Sequence, residues 1–384
     1  MGDEEKVIFI GDQHIEARNG SDAWRKFFKE YLLVYVLGYC KDNKIKHVIS
    51  MGDFLDIRRS LLGEDMYWLV TEFIPLVAEY GITYHIIQGN HSQIRKDSNL
   101  LTWDDWIARE SLPYGSCVKA YTTPQDLVLG DTTFAILPWV NNSSHDITVE
   151  YINNTEATVA LGHLELANFS MGGSLCKHGT LDTALLSKFE NTYSGHFHNE
   201  SESGCIKYLG TPYDLTWQDH LDCTVKGIYT FGLLTNELTF IPNPEGMSMF
   251  TVLEYNYTNI ASAKEGKKWH DTSFLEDNLN LLNKVIHINV TDRSDAPHFT
   301  KFIKTLRSVV CIDYTVIDTT QETIIDFEEV SAKDFKVSPI EILLNKVNDI
   351  AYYEDDESKE IRYESICKKL KSVYDICQNE NNLI

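Results

Sequence analysis

The segment KVIFIGDQH (Lys6–His14) joins a run of apolar, largely β-branched residues to a short polar loop that opens at Gly11. Buried strands of a parallel sheet are typically continuous apolar runs bounded by turn residues. The pattern recurs within the first 245 residues in KHVISMGDF (46–54), ITYHIIQGNH (82–91), ATVALGHLE (157–165) and NTYSGHFHN (191–199). The sequence therefore predicts several buried strands, each ending in a polar loop.

The stretches between the early strands have helical spacing. Apolar residues recur every three or four positions from Trp24 to Tyr35, and a second helix fits Met66 to Tyr80. From about Thr123 strand-like pieces dominate, up to the turn-rich IPNPEG at Ile241–Gly246, which we take as a domain boundary. We expect these later strands to form a second sheet that packs on the first. The prediction for residues 1–245 is an α/β fold in which two sheets lie face to face, a four-layer α/β/β/α sandwich.

Two smaller units are predicted beyond this boundary. Residues 246–337 contain an alternating run at 285–290, a helix-like stretch at 297–308 and a second alternating run at 309–317, which indicates a small α+β domain. Residues 338–384 contain two amphipathic stretches separated by the acidic EDDE at 354–357. These two predicted helices could simply pack on the body of the protein.

Composition limits the classes of function. The 384 residues carry 34 basic and 57 acidic side chains, a formal charge of −23, which argues against a stand-alone DNA-binding module. It leaves open an enzyme that holds DNA at one local site. No apolar run is long enough to span a membrane, and the 8 cysteines form no CxxC pair, so we expect reduced thiols and a cytoplasmic location.

The strand-end loops carry side chains that bind metals. They supply four imidazoles, two carboxylates and one carboxamide: Asp12, His14, Asp53, Asn90, His163, His196 and His198. Each motif alone is weak, because a Gly-His pair usually marks only a turn. Together, seven donors without a thiolate predict two divalent ions in roughly octahedral coordination, with Mn²⁺, Fe²⁺ or Zn²⁺ as suitable metals.

The order DxH, GD, GNH, GH and GHxH resembles the signature of the calcineurin-like metallophosphoesterases. Within that superfamily, ALGHLEL (160–166), YSGHFH (193–198) and KYLGTPYDLT (207–216) are similar to the SbcD-type nucleases of DNA double-strand-break repair, and most of all to the phage recombination endonuclease subunits. The motifs span residues 7–217, which is over half of the chain.

The resemblance implies a role for each donor. Asp12, His14 and His198 would hold one ion; Asn90, His163 and His196 would hold the other, with Asp53 bridging the two. The family's metal would be Mn²⁺, with Mg²⁺ as the alternative. His91 would face the scissile phosphate and stabilise or protonate the leaving oxygen, and Asp56 would orient it.

Two departures from the family pattern affect this assignment. Ser92 stands where the GNHD motif has a carboxylate, which puts the support of that loop in doubt. Asp56 stands where some of the nucleases have a second histidine. Neither departure removes a metal ligand.

The resemblance also implies substrate and partners. It predicts a Mn²⁺-dependent DNA nuclease, a 3′→5′ exonuclease on duplex ends and an endonuclease on single strands. Residues 338–384 would bind the coiled coil of an SMC-like ATPase subunit, residues 246–337 would form the capping domain, and two copies would form a homodimer within a heterotetramer.

Four basic residues follow the second and third metal loops, namely Arg58, Arg59, Arg95 and Lys96. With two divalent ions they would make the mouth of the site positive within an acidic protein, so we predict that they bind DNA. The alternative, that they are solvated charges at the start of helices, is about as well supported for any one of them.

Two other functions are open on the same residues. A phosphomonoesterase or protein phosphatase could use the same scaffold, although such enzymes usually carry GDxxDRG and GNHE, where this chain has GDFLDIRR and GNHS. A non-catalytic scaffold subunit of a DNA-repair complex is the third interpretation. Retention of all seven donors argues against it.

Overall fold

The computed structural model describes residues 5–17, 21–56, 61–95, 98–171, 174–222, 224–262, 281, 284–308 and 313–320. The predicted C-terminal helices (338–384) lie outside the described residues, as do residues 309–312 of the last predicted strand. Cys40, Cys117, Cys176 and Cys205 are free thiols. None of the described helices is both long enough and apolar enough to pass through a lipid bilayer.

The strands of the described residues are β1 Lys6–Ile10, β2 His47–Ser50, β3 Thr83–Ile87, β4 Gln93–Arg95, β5 Ser98–Thr102, β6 Val118–Tyr121, β7 Gln125–Leu129, β8 Thr132–Leu137, β9 Val159–His163, β10 Ser170–Met171, β11 Ser174–Leu175, β12 Asn191–Gly195, β13 Ser201–Ser203, β14 Ile206–Tyr208, β15 Gly227–Gly232, β16 Leu238–Pro242, β17 Phe250–Asn256, β18 Val285–Asp292 and β19 Asp313–Asp318. The helices are α1 Asp22–Lys29, α2 Leu37–Asp42, α3 Gly63–Trp68, α4 Ile74–Glu79, α5 Trp103–Glu110, α6 His145–Asn154, α7 Thr183–Leu186, α8 Trp217–Leu221, α9 Tyr257–Ser262 and α10 Ala296–Ser308. A π-helical segment joins α1 to α2 (Glu30–Val36) and α3 to α4 (Leu69–Phe73), and Leu112–Tyr114 forms a 3₁₀ turn.

The first sheet has the strand order β16-β15-β1-β2-β3-β6. Strands β1, β2, β3 and β6 are parallel, whereas β15 and β16 run antiparallel to their neighbours. The prediction that the strands from Thr123 onward form the second sheet is wrong for β15 and β16. An apolar run does not specify the sheet it joins, and here the chain returns after α8 to pair β15 with the free side of β1.

The second sheet has the order β13-β14-β12-β9-β8-β7. Strands β8, β9, β12 and β14 are parallel, and β7 and β13 pair antiparallel at its edges. The two sheets therefore share one plan, with parallel strands in the middle and antiparallel strands at one or both sides. Ligand sites in such sheets gather at the carboxyl ends of the parallel strands.

An aromatic core lies between the two sheets. The Phe9 ring of β1 meets Phe134 of β8 edge-on at 6.0 Å and stacks on Phe231 of β15 at 5.2 Å. Helices α1 to α5 cover the outer face of the first sheet, and α6 and α7 cover the outer face of the second through Ile152 and Leu186. The predicted four-layer α/β/β/α sandwich is confirmed.

A third sheet, β17-β18-β19, is fully parallel and packs against α10 around Tyr255, Ile288 and Phe302. Strand β18 contains the alternating run that the sequence predicts at 285–290, and α10 contains the predicted helix at 297–308. This sheet contacts α8, where the ring of Trp217 stacks on His287 of β18 with a centroid distance of 3.3 Å. The domain boundaries at 245 and 337 stay predictions.

Candidate metal centre

The loops after β1 and β2 are held together by their backbones. Met51 N donates to Ile10 O at 2.9 Å, and His14 N donates to Asp53 O at 2.9 Å. In the second sheet, the register of β9 and β12 pairs His163 with Gly195. His163 therefore lies beside His196, the residue that follows Gly195. Because the polar loops leave the carboxyl ends of neighbouring parallel strands, their side chains converge.

Four donor atoms form one compact group. Asn90 Oδ1 lies 3.0 Å from His163 Nε2 and 3.1 Å from His196 Nδ1, and His163 Nε2 lies 3.2 Å from Asp53 Oδ2. Adjacent ligands at right angles around an ion with bonds of about 2.1 Å are about 3.0 Å apart. The spacing of these atoms therefore matches neighbouring corners of one octahedral coordination sphere.

A second group lies beside the first. The donor atoms of Asp12, His14 and His198 lie within 4.8 Å of one another. The Nε2 atom of His14 is buried without a hydrogen-bond partner among the described residues, and it lies 3.9 Å from both Asp12 Oδ2 and Asp53 Oδ2. A buried nitrogen between two carboxylates, too far from either to bond, has the environment of a metal ligand.

Hydrogen bonds fix the tautomers of two of these histidines. The Nδ1 atom of His14 lies 2.8 Å from Asp56 Oδ1, and that of His163 lies 2.9 Å from the Met51 carbonyl oxygen. Each ring therefore donates outward through Nδ1 and turns Nε2 toward the centre, where it can bind a metal once it is unprotonated. A hydrogen bond from the ring nitrogen that does not face the metal is typical of histidines that bind metals.

The charges of the buried groups are strongly coupled. Burial raises the pKa of Asp12, despite the nearby His163. Burial also opposes ionisation of Asp53, but the ion pair with His163 and the charge of His14 hold its pKa below the usual range. Burial lowers the pKa of His163, yet Asp53 and Asp12 outweigh it and raise the pKa to about 9.

The other two imidazoles are neutral ligands already. Burial, assisted by the positive field of His163, lowers the pKa of His196 to about 3, and burial with the field of His14 lowers that of His198. A metal needs unprotonated imidazole nitrogens, so only His163 among these three has to lose a proton when an ion binds. The donor set thus fits two divalent cations, which would neutralise the buried carboxylates of Asp12 and Asp53.

Three of the donors have a strained backbone. His14, Asp53 and His196 have φ angles of 47°, 44° and 90°, in the left-handed region that non-glycine residues rarely adopt. Each such residue costs on the order of 1–3 kcal/mol and persists only where the surroundings enforce it. Eight non-glycine residues in the described part of the chain have a positive φ, and these three of them are predicted ligands.

Glycine is required before two of the donors for steric reasons. A Cβ atom on Gly89 would lie 2.0 Å from Asp53 Oδ1, and one on Gly52 would lie 2.1 Å from His163 Nδ1. Gly52 also has a φ of 106°. The loops approach each other so closely that any side chain at these positions would displace a donor, which explains the Gly-ligand pattern of the sequence.

His91 lies beside the donors with its side chain 34% exposed. Its Nδ1 atom is 3.1 Å from Asp56 Oδ1, the same oxygen that His14 contacts, and its backbone N–H donates to Asp53 Oδ1 at 2.8 Å. Burial lowers the pKa of His91, but Asp56 and Asp53 outweigh it and raise the pKa, and the pKa of Asp56 falls to about 2.

An open cavity of about 240 Å³ lies in front of this pair, and its walls include His14, Asp56, His91 and His198. The same space therefore touches both the predicted catalytic pair and two of the predicted metal ligands. Arg95 is exposed at the end of β4. Arg58, Arg59 and Lys96 lie outside the described residues, so the predicted positive mouth stays a prediction.

The structure also brings in residues that sequence motifs missed. The Trp139 ring packs against His196 at 4.9 Å and against His163 at 5.9 Å. The carboxyl of Asp104 is buried near Ser92, and this burial raises the pKa of Asp104 to about 7. Asp104 thus supplies a carboxyl next to the serine that stands at the family's acidic position. Neither residue belongs to a motif that could have indicated it.

Two α/β sheets whose strand ends bring seven metal donors together are the arrangement expected of a metal-dependent phosphodiesterase. No protein-family model matches the chain. Exonuclease subunit 1 of Enterobacteria phage T4 is 29% identical over 238 residues, which cover 62% of this chain and 68% of that protein. The resemblance to the metallophosphoesterase nucleases that the sequence predicts is confirmed by this relative.

Two solved structures align with parts of this chain. Purple acid phosphatase PPD1 from yellow lupin (Lupinus luteus) aligns with 52% of this chain and 39% of its own, at a TM-score of 0.30 and 15% identity. GAP50, the anchor in the inner membrane complex of Plasmodium, aligns with 64% of this chain and 91% of its own, at a TM-score of 0.33 and 10% identity.

The close approach of the metal loops can be tested at Gly89. We expect Gly89→Ala to push the Asp53 carboxylate out of place and to weaken Mn²⁺ binding by about 10- to 100-fold, the effect of disturbing a ligand's support. Isothermal titration of the metal-free protein with Mn²⁺ measures this.

Gly38→Ala is the matched control, since Gly38 lies in α2 and a Cβ there has no neighbour within 4 Å. It should leave Mn²⁺ affinity unchanged and stabilise the fold by about 0.5–1 kcal/mol. Equal Mn²⁺ affinities of the two variants would contradict the steric explanation.

Proposed function

We propose that the protein is a Mn²⁺-dependent DNA nuclease that degrades duplex ends 3′→5′ and cuts single strands internally. The observation that carries the proposal is the convergence of seven oxygen and nitrogen donors, with spacings near 3 Å among Asn90, His163, His196 and Asp53. The similarity to an exonuclease subunit of a phage supports DNA as the substrate.

In this proposal Asp12, His14 and His198 would hold one ion, Asn90, His163 and His196 would hold the other, and Asp53 would be a ligand shared by both. Two divalent ions, when bound, supply the positive charge that neutralises phosphate oxygens and the Lewis acidity that makes water a nucleophile at neutral pH. Asp56 and the Met51 carbonyl keep His14 and His163 in the tautomers that this coordination needs.

His91 is the proposed acid. Its raised pKa favours the protonated imidazole, the form that can donate to the oxygen that leaves the phosphorus. Asp56 accepts from Nδ1 and so directs the opposite edge of the ring away from the protein interior. Because Asp56 contacts both His14 and His91, one carboxylate aligns a metal ligand and the acid together.

The proposed partners follow from charge and resemblance. A protein with a formal charge of −23 repels DNA over most of its surface, so DNA has to be held locally, by the two ions and by Arg58, Arg59, Arg95 and Lys96. We propose that residues 338–384 bind an SMC-like ATPase subunit, which would deliver DNA to the site. The complex would be a heterotetramer that contains two copies of this chain, and it would act in the host cytoplasm.

The substrate class can be tested with end-labelled duplex DNA and with nitrophenyl mono- and diesters of phosphate. We expect cleavage of DNA and of the bis-ester with Mn²⁺ and none with EDTA, with and without the ATPase. His91→Ala should lower the rate by about 10²- to 10⁴-fold, the usual contribution of an acid, while metal analysis still finds two ions per chain.

The same assays separate the alternatives. Faster hydrolysis of the monoester than of DNA and the bis-ester would identify a phosphomonoesterase. A protein that binds two ions and hydrolyses none of the substrates would be a non-catalytic scaffold subunit.

The role of Asp56 can be tested through pH. The acid form of His91 is present below its pKa, so cleavage should decline as the pH rises through that value. Asp56→Asn removes the negative charge that raises the pKa of His91, so the decline should begin at a lower pH than in the wild type. Rates between pH 6 and 9 at saturating Mn²⁺ measure the shift.

Asp56→Asn should also weaken Mn²⁺ binding by about 10- to 100-fold, because the charged acceptor that orients His14 becomes a neutral amide oxygen. An unchanged pH profile, with weakened Mn²⁺ binding, would restrict Asp56 to the support of His14.

The partner assignment predicts that deletion of residues 338–384 abolishes association with the ATPase and spares Mn²⁺-dependent hydrolysis of the bis-ester. The reason is that this segment supplies no predicted metal ligand. Co-purification with the ATPase measures association. Association that survives the deletion would refute the assignment.

A further inference from the structure

Asn99, on β5, lies at the centre of a network of amide hydrogen bonds. Its Oδ1 atom accepts from Gln93 Nε2 at 2.6 Å, from Asn141 Nδ2 at 2.7 Å and from Gln88 Nε2 at 3.2 Å. A carboxamide oxygen has two lone pairs, so three donors use its accepting capacity completely. No ligand motif of the sequence includes Asn99.

Two of these donors flank the third metal loop. Gln88 directly precedes Gly89, and Gln93 directly follows Ser92, so both ends of the loop that carries Asn90 and His91 are attached to one oxygen. Gln88 and Gln93 are buried, at 0% and 2% exposure, which makes these bonds hard for water to replace.

The other side of the Asn99 amide reaches the second sheet. Its Nδ2 atom donates to the Trp139 carbonyl at 3.2 Å and to the Thr122 carbonyl at 3.3 Å. Trp139 in turn packs on His196 and His163, and its backbone N–H donates to Gln88 O at 2.9 Å. Asn99 therefore connects the loop that supplies Asn90 to the tryptophan behind the two imidazoles of the same ion group.

We propose that Asn99 is a positioning residue for the metal centre, an inference that rests on the proposed function. It fixes Asn90 and His91 relative to the two imidazoles from the second sheet. The role needs a carboxamide, since one end of the group must accept from amides and the other must donate to carbonyl oxygens. Displacing reacting groups by even about 1 Å can lower a rate by about 100-fold.

Asn99→Leu, which has a similar volume and no hydrogen bonds, tests the proposal. We expect the affinity for the more weakly bound Mn²⁺ to fall by about 10-fold or more, as for other supports of metal ligands. At saturating Mn²⁺, both ions should bind, kcat on the bis-nitrophenyl ester should fall by about 10- to 100-fold, and KM should stay within about twofold.

Gln93→Leu is a milder variant that keeps Asn99 and removes the 2.6 Å bond. It should change Mn²⁺ affinity and kcat in the same direction and by less. The two residues act through one contact, so the double variant should lose little more than Asn99→Leu alone, whereas independent sites would add their effects.

Asn243 provides the matched control, because its amide is likewise half-buried and bonds the Pro212 carbonyl at 2.7 Å and the Tyr31 hydroxyl at 2.8 Å, neither of which belongs to a predicted metal ligand. Asn243→Leu should lower the midpoint of thermal unfolding and leave Mn²⁺ affinity and kcat unchanged. Equal losses of kcat in Asn243→Leu and Asn99→Leu would overturn the proposal, as would wild-type kcat and Mn²⁺ affinity in Asn99→Leu.

The two proposals can fail separately. If the wild type binds two ions and hydrolyses no diester, the proposed function is wrong, while the Mn²⁺ affinities of the variants still report on Asn99. If the wild type hydrolyses the diester and the variants match it in both measurements, only the role of Asn99 is wrong.

Discussion

Two carboxylates, Asp12 and Asp53, are buried almost completely where β1 and β2 end, and the rest of the site follows from the need to compensate them. Each isolated charge in such a place would cost several kcal/mol. His163 lies 3.2 Å from Asp53 and 3.8 Å from Asp12, so one imidazole partly balances both. A single proton on that ring cannot balance two anions. The site therefore requires further cations, and His196 and His198, whose pKa values burial lowers, are available as neutral donors for them.

The rigidity of the two sheets is what makes this arrangement tolerable. Donors come from both sheets, so their separation is set by the aromatic core of Phe9, Phe134 and Phe231 between them. That core can hold His14, Asp53 and His196 in left-handed backbone conformations, which a flexible loop would relax. The glycines also allow the loops to pack closely, since Gly89 lies so near Asp53 that there is no room for a Cβ atom.

The difference between what the sequence predicts and what it misses has a physical basis. The signal for a ligand loop such as that of Asn90 is local in the sequence, because an apolar strand, a glycine and a polar donor stand within about ten residues. The loop can therefore be predicted from that segment alone. Sheet membership is not local, so β15 was assigned to the wrong sheet, because only pairing with β1 decides it. Asn99 and Asn141 are 42 positions apart and carry ordinary side chains, and nothing in the sequence marks their contact.

The acidic surface gives the proposed reaction a further constraint. Two divalent ions would bring four positive charges against the carboxylates of Asp12, Asp53 and Asp56, which leaves a small positive excess inside a strongly negative protein. At physiological ionic strength such a field is screened beyond about 8 Å, so it can hold a phosphate already in the cavity but cannot attract DNA from a distance. An enzyme of this kind would cut DNA efficiently only when another surface brings the strand to the mouth of the site, and that requirement favours a DNA-holding partner over a nuclease that works alone.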